Sequence, residues 1–349
     1  MFLKEQFLKK YKIKIDRPRF LFAVLLLLQF LIIALLQSRL SNRNYNLDGP
    51  LNIIKSRCKN DKFALNYNYM DYLAIENYLF IAYQLFLVYL GLNAVFDECV
   101  MQICVYSLMN IGGYLYTIVQ MLEVIIVIEH TKNECLTPEN KLLEKFRLDD
   151  RLTDPKIIEY DLPQFILYTF FVILTGYLSL MMYLRLGINT YYQKKVGNNE
   201  LLISLLKRQL LLKLFLKFFV FFSIIYFVFC IYNILTYIAL RDYTMTLAIS
   251  LFLIIFISIL RLTRVIFIKM GEESKTGMKH CSYLWIFVLF NNMVLCIIGS
   301  LFISDRWYFL LPYNLIYFGV SLTSYVYILK VKEDFGKGLK EAIANHQME

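Results

Sequence analysis

Residues 20–36 read Phe-Leu-Phe-Ala-Val-Leu-Leu-Leu-Leu-Gln-Phe-Leu-Ile-Ile-Ala-Leu-Leu, seventeen positions without a charge. A run of this length approaches the ~20 apolar residues that a helix needs to cross the hydrocarbon core of a bilayer. Seven more predominantly apolar runs follow, at 73–96, 99–128, 164–187, 214–240, 245–268, 281–303 and 308–329, and the eight together take up more than half of the chain. The runs are continuously apolar, so they do not fit a β-barrel, whose strands alternate over about 10 residues. They predict an all-α polytopic membrane protein.

Composition agrees. Of 349 residues, 59% are apolar and 18% charged, against roughly 45–50% and about 25% in an ordinary soluble domain. With 6 prolines and 13 glycines there is no low-complexity linker, and one membrane domain is the simplest organisation.

The formal charge of +10 comes from 37 Lys and Arg against 27 Asp and Glu. An excess of this kind attracts nucleic acid or anionic lipid. Here the charges flank apolar runs, so the positive-inside effect explains them and nucleic acid does not. The leader, residues 1–19, carries Lys9, Lys10, Lys12, Lys14, Arg17 and Arg19. The run after it is long for a cleaved signal, and Ala34-Leu35-Leu36-Gln37-Ser38 is a poor cleavage site. The expectation is an uncleaved first span with a cytosolic N-terminus, outer polar loops at 37–72 and 129–163, and long inner connections at 188–213 and 269–280. Between Asn199 and Lys217 leucines recur every three or four residues among Lys207, Arg208 and Lys213, which predicts an amphipathic cytosolic extension leading into the next span.

Catalytic chemistry is thin. His130, His280 and His346 are the only histidines, and none stands at metal-ligand spacing. The chain has no phosphate-binding Gly-Lys-Ser/Thr loop, dinucleotide glycine fingerprint or Gly-x-Ser-x-Gly turn. No enzyme class, cofactor or metal is indicated. Glu76, Glu123 and Glu129 fall near the outer edge of the spans. Cys58 and Cys135 are the only cysteines in the two long outer loops, where an oxidising compartment makes a disulfide between them a candidate.

Polar side chains lie well inside the apolar runs. Spans two to four carry Tyr78, Tyr83, Gln84, Tyr89, Tyr106, Asn110, Tyr114, Tyr116, Gln120, Tyr168 and Tyr177, which are costly in hydrocarbon and should face protein or a cavity. They fit either a small-molecule pocket with aromatic walls or ordinary interhelical packing. In the last run Asn314, Tyr317, Ser321, Ser324 and Ile328 recur at three or four, forming one helix face. That stripe suits an aqueous pore or close helix packing by small residues, and the residue types alone favour packing.

From residue 258 onward the order of features resembles the insect gustatory and odorant receptor superfamily. Glu273-Ser274-Lys275-Thr276-Gly277 resembles the family's Lys-Thr-Gly-like segment after its sixth helix. Gly299-Ser300-Leu301-Phe302-Ile303-Ser304-Asp305 resembles its Gly-x-Phe turn, and Thr323-Ser324-Tyr325-Val326-Tyr327-Ile328-Leu329 is similar to the start of its pore-helix pattern. Val331 and Lys332 stand where that pattern ends in Gln-Phe. The resemblance implies a divergent gustatory-receptor-like chain with seven spans. Six lie within 20–268, a cytosolic anchor helix occupies 269–303, the pore helix 304–329 and a charged tail 330–349. It further implies a plasma-membrane, ligand-gated ion channel that assembles as a homo- or hetero-tetramer. A small organic ligand would be held among Tyr83, Gln84, Tyr106, Asn110 and Tyr168, and Ser321, Ser324, Tyr325 and Ile328 would line the pore. Lys330 and Lys332 would then stand at the outer pore mouth, where positive charge opposes cation entry. The alternative is an eight-span, non-channel transporter or membrane scaffold with both termini cytosolic, an arrangement that charge bias prefers.

Overall fold

The computed structural model describes residues 17–57, 69–97, 99–135, 156–186, 190–239, 243–302 and 310–346. Every regular element among them is an α-helix: α1 Arg17–Arg57, α2 Tyr69–Phe96, α3 Val100–Cys135, α4 Lys156–Leu186, α5 Thr190–Val196, α6 Glu200–Ala239, α7 Tyr243–Gly271, α8 Lys275–Phe302, α9 Leu310–Asp334 and α10 Leu339–His346. Seven of these, α1, α2, α4, α6, α7, α8 and α9, are long and apolar enough to cross a membrane. The membership differs from the expected seven. The 275–297 part of α8, expected as a cytosolic anchor, is among them. Over its described side chains α3, which contributes Asn110, Thr117 and Gln120 to the interior, falls outside that set, and its apolar run 99–128 extends past them.

Helices run further than the apolar runs, and this shortens the expected outer loops. α1 continues 21 residues past Leu36 to Arg57, and α2 begins at Tyr69. α3 reaches Cys135 and α4 starts at Lys156. The overhang of α1 persists because its polar residues find protein partners: Ser41, Arg43 and Asn44 are buried. The amphipathic stretch after 199 forms the first turns of α6, a 40-residue helix about 60 Å long at 1.5 Å per residue. Its start is defined locally. Gly197 takes a φ of 71° and ends α5, and Asn199 Oδ1 accepts the Leu201 amide at 3.0 Å, capping α6.

The chain divides into two compact units, residues 1–191 and 192–349. In the first, α1 packs on α2 and α4, and α3 packs on α2 and α4, giving a four-helix bundle. Its apolar core includes Phe22, Leu26, Leu87, Ile103, Tyr106 and Met182.

In the second unit α6, α7, α8 and α9 run up and down in turn. Arg208 of α6 pairs with Asp334 of α9 at 3.1 Å, and Ser223 meets Tyr317 at 2.7 Å, so these two helices are antiparallel. Trp285 Nε1 of α8 donates to the Ser321 carbonyl of α9 at 2.9 Å, and Asn314 Nδ2 donates to the Leu295 carbonyl at 2.6 Å. α8 and α9 are therefore antiparallel too. The C-terminal ends of α7 and α9 consequently share the end of the bundle where α6 and α8 begin. The core is aromatic: Phe219 lies between Trp285, at 4.8 Å, and Tyr317, at 5.0 Å, and Tyr226 stacks on Phe256 at 5.2 Å. Asn292, which would be awkward facing lipid, is 1% exposed and buried within the unit.

Candidate functional site

Each helix of the first unit places one buried polar side chain at the same level of the bundle: Gln29 on α1, Gln84 on α2, Asn110 on α3 and Tyr168 on α4. They close a ring. Gln29 Nε2 donates to Asn110 Oδ1 at 2.7 Å and to Gln84 Oε1 at 3.2 Å. Gln84 Nε2 donates to Tyr168 Oη at 2.9 Å, and Tyr168 Oη donates to Asn110 Oδ1 at 3.0 Å. Asn110 Nδ2 is taken up by Thr175 Oγ1 at 2.9 Å. Tyr106 Oη reaches Gln29 Oε1 at 3.4 Å, and Tyr83 Oη donates to the Met109 carbonyl at 2.5 Å. A buried amide is expensive unless hydrogen-bonded, and the ring meets most of that cost internally.

Two turns further along α1 a second layer repeats the plan, again with one side chain per helix: Gln37, Asn77, Gln120 and Gln164, all buried. Gln120 is the hub. Its Oε1 accepts from Gln37 Nε2 at 3.1 Å and Gln164 Nε2 at 3.5 Å, and its Nε2 donates to Asn77 Oδ1. Here the bonding is incomplete, because Gln37 Oε1, Asn77 Nδ2 and Gln164 Oε1 are buried without a hydrogen-bond partner. Beyond this layer Arg43 of α1 pairs with Asp161 of α4 at 2.5 Å, both side chains 7% exposed, while Arg43 Nε and Nη2 donate to Asn44 Oδ1 at 3.1 and 3.0 Å. From Gln29 to Gln37 is about 12 Å of helix and from Gln37 to Arg43 about 9 Å. A polar column thus runs along the bundle interior.

Aromatic rings form its walls between the two layers. Phe80 stacks on Tyr116 at 4.8 Å and on Tyr83 at 5.9 Å, and the Tyr116 hydroxyl donates to Glu76 Oε2 at 3.2 Å. Gly113 lets two tyrosines pack against the α3 backbone, because a Cβ there would overlap the Tyr168 hydroxyl and lie 3.0 Å from the Tyr83 ring. Amides and phenols offer both donors and acceptors, and the spare groups of the second layer include both kinds. The chemistry suits water or a small neutral polar molecule carrying hydroxyl or amide groups.

The structure brings Tyr83, Gln84, Tyr106, Asn110 and Tyr168 together in this one cluster. Tyr114, Tyr116 and Gln120 join the column or its walls, whereas Tyr78, Tyr89 and Tyr177, expected to face protein or a cavity, are exposed on the surface of the unit. A phenol ring tolerates that position because its hydroxyl can reach the membrane interface. Gln29, Gln37, Asn77, Gln164, Thr175 and the Arg43–Asp161 pair are members that residue types alone did not reveal. For four of them the signal was periodic: Gln29 to Gln37, Asn77 to Gln84 and Tyr168 to Thr175 each span seven or eight residues, two helical turns on one face.

The stripe of the last helix lies inside the second unit. Ser321, Ser324 and Ile328 are fully buried and Tyr325 is half-buried. The Ser321 hydroxyl bonds the Phe318 carbonyl at 2.8 Å and the Ser324 hydroxyl the Val320 carbonyl at 2.8 Å, each within its own helix. Cys58 lies outside the described residues, and Cys135 is the last residue of α3. Among the described residues no group of three or more His, Cys, Asp or Glu gathers as metal ligands would. No family model, curated protein or solved structure matches the chain.

Proposed function

We propose that this chain is a chemoreceptor-like plasma-membrane protein whose N-terminal unit binds a small polar organic ligand in the column formed by α1–α4. One observation carries the reading: a ring of side chains from four helices, buried at a depth suited to hydrocarbon, is followed by a layer whose polar groups are only partly satisfied. Groups of that kind are costly and persist where a solute or water meets them. Ligand amides or hydroxyls exchange with the bonds of Gln84, Asn110 and Tyr168, while Tyr83 and Tyr106 supply apolar contact. Such a ligand shifts a conformational equilibrium only by its differential affinity for the two states. Under the resemblance, that shift gates ion flow through the last helices of a tetramer at Ser321, Ser324, Tyr325 and Ile328.

A second reading, an eight-span transporter or scaffold without a channel, is favoured by the alternation of α6–α9, which returns the end of α9 to the side where α6 begins, and by the burial of the serine stripe. Binding in the column is common to both readings.

The test screens small hydroxyl- and amide-bearing compounds for thermal stabilisation of the purified full-length protein, beside the ring variants Gln84→Leu and Tyr168→Phe. A compound that stabilises the wild type and fails with both variants supports the site; equal stabilisation of all three places binding elsewhere. Currents evoked by the same compound in reconstituted bilayers, read with epitope tags at both termini, then separate channel from non-channel.

A further inference from the structure

A second feature lies in the other unit and owes nothing to the column. Lys275, Thr276 and Lys279 at the start of α8 and Lys332 and Glu333 at the end of α9 line an open cleft of about 490 Å³. Three ammonium groups against one carboxylate leave the cleft net positive. The cleft lies at the start of α8, and a helix N-terminus adds partial positive charge. Ser274 Oγ is committed to the Gly277 amide at 3.2 Å, one turn in, so the cap does not fill the cleft.

What lies below the cleft defines the occupant. On the α8 face that carries Lys275 and Lys279, the next exposed side chains are Tyr283, Ile286, Phe287 and Phe290, from 47% to 72% exposed. They follow Lys279 at intervals of three, four or one, which is one helix stripe. Both 275–297 and 313–334 are long and apolar enough to span a membrane, so the cleft sits where these stretches meet the headgroup layer and the aromatic stripe sits at acyl-chain depth. Charge above and hydrocarbon below on one face match an amphiphile with an anionic head.

We propose that this cleft binds the phosphate-bearing headgroup of an anionic phospholipid, with Lys275, Lys279 and Lys332 on the phosphate and the Tyr283–Phe290 face along an acyl chain. Basic pockets between membrane helices hold such headgroups, each Lys contributing about 1 kcal/mol near the surface. A free phosphate compound would use the lysines alone and gain nothing from the apolar stripe.

The full-length protein is equilibrated in phosphatidylcholine micelles holding a minor fraction of phosphatidylinositol bisphosphate, and retained lipid is counted by native mass spectrometry. The expected result is enrichment of the bisphosphate lipid that falls at least about tenfold in Lys275→Gln/Lys279→Gln/Lys332→Gln. Enrichment should persist in the triple Lys→Arg variant and in the control Lys194→Gln/Lys195→Gln/Lys340→Gln. Wild-type retention by the first variant overturns the site, and so does equal loss in the Arg variant with unchanged thermal unfolding. Displacement by soluble inositol trisphosphate at the concentration at which the lipid itself competes overturns the lipid and leaves a site for free phosphate compounds.

Discussion

Gln29 Nε2 lies 2.7 Å from Asn110 Oδ1, joining helices 81 residues apart in sequence at the centre of the first unit. The same oxygen accepts the Tyr168 hydroxyl at 3.0 Å, and the Asn110 amide is held by Thr175. Asn110 thus makes three side-chain hydrogen bonds, as many as Gln29. Asn110→Leu removes three bonds and leaves Gln29 and Tyr168 facing an apolar group, with an expected destabilisation of about 2 kcal/mol. Chemical unfolding of the purified protein in detergent measures it. A loss below about 0.5 kcal/mol would mean that the ring re-pairs without Asn110.

Gly113 and Gly176 make a matched pair. Both are in helix interiors, but a Cβ at Gly113 overlaps the Tyr168 hydroxyl and crowds Tyr83, while nothing lies within 4 Å of one at Gly176. Gly113→Ala should cost about 1–3 kcal/mol by overpacking. Gly176→Ala should gain up to about 1 kcal/mol from helix propensity. The two changes in melting temperature should have opposite signs, and like signs would show that the column wall relaxes around the methyl group.

The helices were legible in the sequence because hydrocarbon-length apolar runs leave few alternatives to a helix. The cluster of Tyr83, Gln84, Tyr106, Asn110 and Tyr168 was legible as a set of polar groups needing partners. Which tyrosines turn inward was not, since Tyr106 and Tyr89 sit in equally apolar neighbourhoods and only the docking of α1 against α2 and α4 separates them. Gln29 was hidden for the opposite reason: one amide in seventeen apolar residues does not alter the reading of a span, and its importance comes from partners 55 and 81 residues away. The lengths of α1 and α3 were misjudged because an apolar count stops at Leu36, whereas Arg43 continues the helix by pairing with Asp161.

That pair should behave as a buried ion pair. With both side chains 7% exposed, Arg43→Met strands the Asp161 carboxylate, and the expected cost is about 3–5 kcal/mol. Arg43→Met/Asp161→Leu removes both charges and should recover most of that loss. The coupling read from the double-mutant cycle checks it. Additive losses would indicate that each charge is solvated independently.

Ser321 and Ser324 distinguish packing from conduction. Each hydroxyl is satisfied by a carbonyl of its own helix, and each residue has no exposed surface within the unit. If the stripe is packing, removal of the hydroxyls in Ser321→Ala/Ser324→Ala takes away no hydrogen bond between helices and should change stability by less than about 1 kcal/mol. Ser324→Leu drives three extra carbons into a filled interface and should cost about 1–3 kcal/mol. A pore-lining face gives the reverse pattern, because leucine then projects into an aqueous path. Stability would hold in Ser324→Leu while any ligand-evoked current fell, and the alanine pair would alter conductance. Unfolding and bilayer recordings on the same preparations therefore decide between the two roles of the last helix. The burial of Tyr317 against Phe219 at 5.0 Å makes the packing outcome the expected one in the isolated protomer.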